Sequence, residues 1–468
     1  RVFENSHALV DVTMSRALTS IGRSAFWGTG IVAIVIPRSV VSIGECAFSR
    51  CSSLQSIVVD ETNEYFQSID ENLYSKDGKL LIQYSTGKNE ESFTVPNGVT
   101  KIAAGAFSDC NLKNVYMTDS VVEIGNFAFS DSLKLESVRL SNSISSIGGQ
   151  MFQGSSALKD IAIPSSVTSI GMYAFAHTAI TDITIPDAVV NVENGAFSYC
   201  KSLANVTISN SMKEIVSSLF SNCVSLESIV IPQSVTKIGS SAFSACTSLK
   251  SIEIPDSVTS IGRYAFDYCT SLTGVKIGCS VSTIDVYVFD QCYKLTSIEV
   301  DENNEHYRSI DGNLYSEDGK TLIKYAIGKQ DMSFNVPDSV EIIDDYAFQY
   351  CSSLTSVNIP DSVTSIGNYA FYGCTSLTSV TIPDSVTSIG EYAFYLCTSL
   401  KTVYCKPTTP PTGGSGMFSN NASDRKIYVP ASDDDSIIDA YKAKQYWSSY
   451  ASYIEEYHEF VDLGLSVK

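Results

Sequence analysis

Hydrophobic and polar positions along this chain follow one recurring pattern. From Cys246 to Phe266 the sequence reads C-T-S-L-K-S-I-E-I-P-D-S-V-T-S-I-G-R-Y-A-F, and Cys351–Phe371 and Cys374–Phe394 repeat it almost unchanged. The common form is C-x-S-L-x-S-[IV]-x-[IV]-P-x-S-V-T-S-I-G-x-x-A-F. Its closing phenylalanine returns at Phe26, Phe48, Phe107, Phe129, Phe152, Phe175, Phe197, Phe220, Phe243, Phe266, Phe289, Phe348, Phe371 and Phe394. Successive gaps are 22 or 23 residues, apart from two gaps of 59, each of which equals one repeat of 23 plus an insertion of 36. Self-similarity at this period marks a stacked repeat architecture.

Within one unit, Leu249, Ile252 and Ile254 follow L-x-x-L-x-L, the strand signature of a leucine-rich repeat. Ile252 and Ile254 alternate with Ser251 and Glu253, so one face is buried and the other wet. Pro255 ends the strand because it has no N–H for a ladder. Val258 and Ile261 point inward from a second extended segment, Gly262 turns the chain, and Ala265-Phe266 are expected in a short helical or 3₁₀ turn with Phe266 as the core plug. A single unit cannot bury its apolar side alone, so neighbours must stack and the ends need caps. The expected fold is therefore a β-rich α/β repeat: a right-handed leucine-rich-repeat solenoid over residues 1–405, of about fourteen 22–23-residue coils.

The two insertions, 60–96 and 300–337, are copies of each other, from Asp60-Glu-Thr-Asn-Glu to Asp301-Glu-Asn-Asn-Glu. Asp77-Gly78 and Asp318-Gly319 are hairpin-turn dipeptides between apolar runs, so each insertion reads as a β-hairpin lengthening one coil. Asp70/Asn72 and Asp311/Asn313 resemble part of a calcium loop. They lack its full spacing and closing Glu, and turn chemistry is the expected role. After Cys405 the repeat decays into a cap over 406–457. Lys406–Gly416 reads as a Pro/Gly/Thr loop, Met417-Phe418 as a worn anchor, and Ile427–Pro430 as a last strand. A helix of about 436–456 opens on the acids of Ser432–Asp435.

Charge changes the picture by exclusion. With 31 basic against 51 acidic residues the net charge is −20, which repels phosphate backbones, so no nucleic-acid partner is expected and basic patches on a partner are favoured. No apolar run approaches the roughly 20 residues of a membrane helix. The thirteen cysteines do not suggest a metal site, since no C-x₂-C pair occurs. Ten of them (Cys51, Cys110, Cys200, Cys223, Cys246, Cys269, Cys292, Cys351, Cys374, Cys397) stand three residues after an anchor Phe, where Thr29, Ser132, Ser155 and Thr178 stand in other coils. A position shared by Cys, Ser and Thr is a small buried slot. Parallel Cβ vectors on adjacent coils also stay near ~4.8 Å apart, wider than the ~3.8 Å of a disulfide, so free thiols are expected. The four histidines are scattered, and no G-x-S-x-G, P-loop or H-E-x-x-H occurs. No catalytic residue, metal or cofactor is expected, and the chain is read as a non-enzyme and a monomer.

The phrase I-P-D-S-V-T-S-I-G-x-Y-A-F-x-x-C-T-S-L-T-S-[IV]-x-I-P resembles the BspA-type leucine-rich repeat family over roughly residues 8–405. That family consists largely of surface proteins of Bacteroides-like bacteria, with relatives in spirochaetes and protozoa. The resemblance implies a bacterial cell-surface or secreted location and an adhesive role, since some members bind host matrix proteins such as fibronectin and fibrinogen. A host extracellular-matrix protein or a glycan is thus the expected partner, and a spacer displaying a neighbouring domain is the alternative. Glu459–Lys468 resembles the opening of a further small domain of Bacteroides surface proteins, so 458–468 is read as the start of a following domain.

Where would a partner bind? On the strand side the outward positions run through Thr13, Val35, Ala162, Glu253 and Thr381 without an aromatic cluster or a single-sign stripe. The aromatic signal lies beside the anchors. Tyr173, Tyr264, Tyr287, Tyr346, Tyr369 and Tyr392 precede the anchor by two residues, and Tyr372 and Tyr395 follow it by one. Tyr346, Tyr369, Tyr392, Tyr372 and Tyr395 are the candidate binding strip. Stacked tyrosines that merely cover the core and solvate their hydroxyls are the competing reading.

Overall fold

The computed structural model describes residues 2–457. The segment read as a following domain, 458–468, lies outside them. Two compact units make up the chain: Arg1–Leu249 with Ser260–Cys269, and Lys250–Thr259 with Thr270–Lys468.

In both units most coils contribute a short strand to one parallel row and a two-residue strand to another. In the first unit Ser92–Thr94, Asn114–Tyr116, Ser137–Arg139 and Asp160–Ile161 pair in sequence order, with Val115 opposite Val138 and Val138 opposite Ile161. In the second unit Ser333–Asn335, Ser356–Asn358, Ser379–Ile382, Thr402–Cys405, Lys426–Pro430 and Ile454–Tyr457 form one six-stranded sheet. The other row runs through Ile342–Ile343, Ser365–Ile366, Ser388–Ile389 and Thr412–Gly413. In-register apolar residues therefore stack on themselves: Val357, Ile359, Val363, Ile366 and Phe371 are all buried.

The third side is not helical, contrary to expectation. It is a run of overlapping turns whose amides bond alternately within and between coils. Gln349 N donates to Tyr346 O (3.2 Å) and Cys351 N to Phe348 O (3.1 Å), closing turns inside one coil. The intervening amides reach the next coil: Tyr346 N to Asn368 O (3.0 Å), Phe348 N to Ala370 O (2.7 Å) and Tyr350 N to Tyr372 O (2.7 Å). A helix would spend every amide within its own coil and leave the stack unlinked. The repeated glycine also has a different job from the turning role expected of it. Gly367 does not have positive φ, but a Cβ there would lie 2.5 Å from Asp345 N, so its absence permits close approach of the coils.

Anchor rings form continuous stacks at core positions. Centroids are 4.8 Å apart for Phe107–Phe129, 4.7 Å for Phe348–Phe371 and 4.8 Å for Phe371–Phe394. The fourteen phenylalanines undercount the coils, of which there are about 19. Phe3 stacks on Phe26, Tyr84 on Phe107 and Phe418 on Phe394, while Tyr325 packs on Phe348. The gap of 59 thus divides into 36 to Tyr84 and 23 onward to Phe107.

Each insertion is a three-stranded antiparallel meander, not a single hairpin. Phe66–Ile69 pairs with Asn72–Ser75, which pairs with Leu80–Gln83, and the last strand joins Lys101–Ile102 in parallel. The copy in the second unit uses Tyr307–Ile310, Asn313–Ser316 and Thr321–Lys324. A buried asparagine fixes the entry. Asn304 Nδ2 donates to Gly278 O and Val281 O, and its Oδ1 accepts from His306 N and Tyr307 N. Asn63 does the same in the first unit. The part-calcium-loop residues are hubs of the same kind: Asn72 and Asn313 accept from Ser85 N and Ala326 N, and the carbonyls of Asp70 and Asp311 accept from the ammonium groups of Lys88 and Lys329.

At the C-terminus the strand rows continue past Cys405, so the cap is itself coiled. The single helix expected over 436–456 is instead an α-helix Ser436–Ala443, a 3₁₀ segment Trp447–Tyr453 and a strand Ile454–Tyr457. The open sheet edge at Lys426–Pro430 takes a further strand, which ends helical continuation. Tyr441 Oη and Trp447 Nε1 donate to Pro407 O and Pro411 O (2.8 Å each), pinning the Pro-rich loop.

All thirteen cysteines are free thiols. The column after the anchor has a specific partner. Cys374 Sγ lies 3.1 Å from Phe348 O and Cys397 Sγ 3.1 Å from Phe371 O, each thiol donating to the anchor carbonyl of the preceding coil. Ser132 Oγ and Ser155 Oγ make the same bond to Phe107 O and Phe129 O, which explains why Cys and Ser interchange. Burial pushes the thiols of Cys246 and Cys351 up to about 12. Thiolate, the reactive form, is therefore scarce at neutral pH. Two outcomes follow. A thiol reagent should titrate no more than Cys46 and Cys279, the two incompletely buried cysteines, in the folded chain and all thirteen after denaturation. Cys374→Ser should hold stability within roughly 1 kcal/mol, whereas Cys374→Ala should cost about 1–3 kcal/mol in urea unfolding, having left a buried carbonyl short of a donor.

Candidate functional site

The turn side imposes an unusual demand. Two residues before and two after the anchor, the backbone is left-handed in coil after coil: Ser241 and Ala245 around Phe243, Tyr369 and Gly373 around Phe371, Tyr392 and Leu396 around Phe394. Each is the third residue of a four-residue turn, where a type II turn requires positive φ. Glycine and asparagine fit there without strain, and an L side chain costs on the order of 1–2 kcal/mol. In the second unit, coils 287, 346, 369 and 392 all place tyrosine there, with φ of 59°, 60°, 52° and 51°.

These tyrosines meet. Ring centroids of Tyr346 and Tyr369 are 5.1 Å apart and nearly parallel, and those of Tyr369 and Tyr392 are 5.2 Å apart. Tyr372 stacks on Tyr395 at 5.5 Å, and Tyr392 meets Tyr395 edge-on at 5.3 Å. All five residues of the candidate strip thus lie in one contiguous array. Two tyrosines extend it. Tyr287 is 59 residues from Tyr346 in sequence, yet their hydroxyls are 2.6 Å apart. Tyr350 packs edge-on against Tyr372 at 5.3 Å. Sequence spacing concealed the first contact because the insertion coil, anchored by Tyr325, has a strand residue, Ile323, in place of the turn position. Tyr173 and Tyr264, at the same repeat position, belong to the first unit.

The array offers edges more than faces. Stacking covers most ring faces, and a Cβ on Gly416 would lie 2.5 Å from Tyr392 Cε1, so backbone lies against that ring as well. All seven tyrosines are half-buried. Burial, together with the hydroxyl pairing to Tyr287, raises the Tyr346 phenol well above its ordinary value, and burial pushes Tyr350 up to about 12. Both phenols are uncharged at neutral pH. Carboxylates run alongside: Asp345 accepts from Asn368 N at 2.6 Å, and Asn368 Oδ1 accepts from Glu391 N at 2.8 Å.

With the coils and their aromatic columns in view, the relatives are informative. A family model described as the BspA type leucine rich repeat region, in six copies, matches residues 1–81, 83–204, 191–317 and 328–442. The chain belongs to this BspA-type family. Among solved structures, a leucine-rich repeat protein from Bacteroides ovatus aligns with a TM-score of 0.55 at 26% identity, covering 84% of this chain and 97% of that one. A leucine rich cell surface protein from Faecalibacterium prausnitzii aligns with a TM-score of 0.48 at 24% identity, covering 79% and 96%. No functionally curated protein matches the chain. The BspA-type match at 328–442 includes the five strip tyrosines. Among the described residues, no group of three or more His, Cys, Asp or Glu is placed to hold a metal ion, and no helix is long and apolar enough to cross a membrane.

The backbone demand yields a stability test that is independent of any ligand. Tyr369→Ala loses stacking worth about 0.5–1.5 kcal/mol and keeps a strained backbone. Tyr369→Gly loses the same stacking and removes the strain. In urea unfolding the glycine variant should be the more stable of the two by about 1 kcal/mol.

Proposed function

We propose that this BspA-type chain is a bacterial cell-surface or secreted binding module that engages a host extracellular protein or glycan through the tyrosine array of its second unit. The supporting observation is the run of four tyrosines at left-handed positions in the second unit, where the first unit has tyrosine at Tyr173 and Tyr264 and other residues, such as Cys46, Gly105, Phe127 and Gln150, elsewhere. The coil itself asks for positive φ there and not for an aromatic ring. Strained residues gathered in one surface patch point to a role beyond folding. Half-buried tyrosines held rigid by their neighbours also suit recognition, because little side-chain freedom is lost on binding. Covered ring faces favour a protein partner over a sugar, which needs an open face to stack on. The same mutual coverage is what favours the second reading, a spacer that displays a neighbouring domain.

The discriminating experiment is binding of the purified chain to immobilised matrix proteins and glycans at low and physiological salt. A saturable hit that survives physiological salt and weakens at least about tenfold in Tyr346→Ser/Tyr369→Ser/Tyr392→Ser supports the binding reading. A hit indifferent to that triple variant would place binding elsewhere, and a blank array would favour the spacer.

A further inference from the structure

The two insertions share a fold but not a surface. Around the first, the coil before and the coil after close on each other: Ser49 Oγ donates to Gly105 O at 3.0 Å, and Gln83 Nε2 bonds Ala106 O at 2.9 Å. Around the second, the corresponding residues are Asp290 for Ser49, Tyr346 for Gly105, Lys324 for Gln83 and Tyr287 for Cys46. Each insertion has a cavity beside it, of about 270 Å³ near Cys46 and Ser49 and of about 170 Å³ near Tyr287 and Tyr346, and the second is lined differently.

Its walls have a consistent chemistry. Tyr287 and Tyr346, joined through their hydroxyls, line one side. Asp285, Asp344 and Asp345 also line it. Asp285 and Asp344 stand four residues before their anchors, the repeat position held by glycine in coils 371 and 394. The aliphatic side chains of Leu314 and Ile323 complete the lining. One cation is already present: Lys324 donates to Tyr346 O at 2.9 Å and interacts with Asp290. It does not balance the site. Three carboxylates line the cavity against this one amine, and Asp290, outside the lining but beside Lys324, is about nine-tenths buried with its Oδ1 lacking a protein hydrogen-bond partner.

Resting on the reading of the tyrosine array as a binding surface, we propose that this cavity receives an arginine side chain from a basic segment of a protein partner. Aliphatic walls suit the methylene stem, which buries well along apolar surface. Carboxylates offer charge-assisted bonds to the guanidinium, and tyrosine rings attract it through their electron-rich faces. The chain's net charge of −20 draws such a segment in before contact.

The test uses a labelled hexa-arginine peptide and the full chain, with fluorescence anisotropy as readout. Saturable binding at physiological salt is expected, at least about tenfold weaker in Asp344→Asn/Asp345→Asn, and unchanged within about twofold in Glu299→Gln, which removes one exposed charge from the strand side. Circular dichroism confirms that each variant is folded. Equal loss in Glu299→Gln, or binding that never saturates, would mean only diffuse attraction to an acidic surface and would overturn the proposal. If hexa-arginine fails while a matrix protein still binds in a tyrosine-dependent way, the arginine pocket is wrong and the tyrosine surface stands. If the tyrosine substitutions leave every ligand bound, the surface reading itself is wrong.

Discussion

The constraint on which the rest depends is the division of backbone amides on the turn side. Every second amide closes a turn within its own coil, and those between them bond to the next coil. The segment is neither helix nor regular sheet. Several sequence features follow directly. The anchor Phe sits where an inter-coil bond fixes its backbone, so its ring must stack on the ring of the neighbouring coil. The anchor carbonyl receives one amide from its own coil and has a second lone pair, which the Cys, Ser or Thr of the repeat satisfies. Glycine four residues before the anchor allows the backbones to approach closely enough for these bonds to form.

This accounting also shows what was legible in the sequence and what was not. The strands around Val357 and Ile359 could be read because alternation and a terminal proline are local signals. Fourteen anchors were visible because Phe is distinctive. Tyr84 and Tyr325 were missed because tyrosine replaces phenylalanine at a spacing of 36, with a meander in between. A turn segment rich in Ala and Phe looks helical by composition, and only the inter-coil hydrogen bonds exclude a helix. Left-handed backbone at Tyr369 or Tyr392 carries no sequence mark at all, since neither is glycine or asparagine. The five-residue strip was readable as a column, whereas Tyr287 and the Asp285–Asp344 pair enter only because the insertion coil withdraws its turn and brings residues 59 apart together.

Repetition and departure from it play separate roles. Strand rows, anchor stack and thiol column are the same in both units and account for folding. The coils flanking the second insertion depart from the repeat where Asp285 and Asp344 stand at the glycine position, and they bring Tyr287 and Tyr346 together. A rigid ladder is a good base for such departures, because each coil fixes its neighbour and a surface tyrosine inherits that order. A BspA-type solenoid can thus carry a particular surface on a repetitive frame.

Native-state hydrogen exchange tests the ladder most directly. The account predicts that the amides of Tyr346, Phe348, Tyr369 and Phe371, all donors to the next coil, are protected as strongly as those of the strand Ser379–Ile382. Fast exchange along the whole turn side, with protection confined to the strands, would contradict it and remove the rigid base on which the tyrosine surface depends.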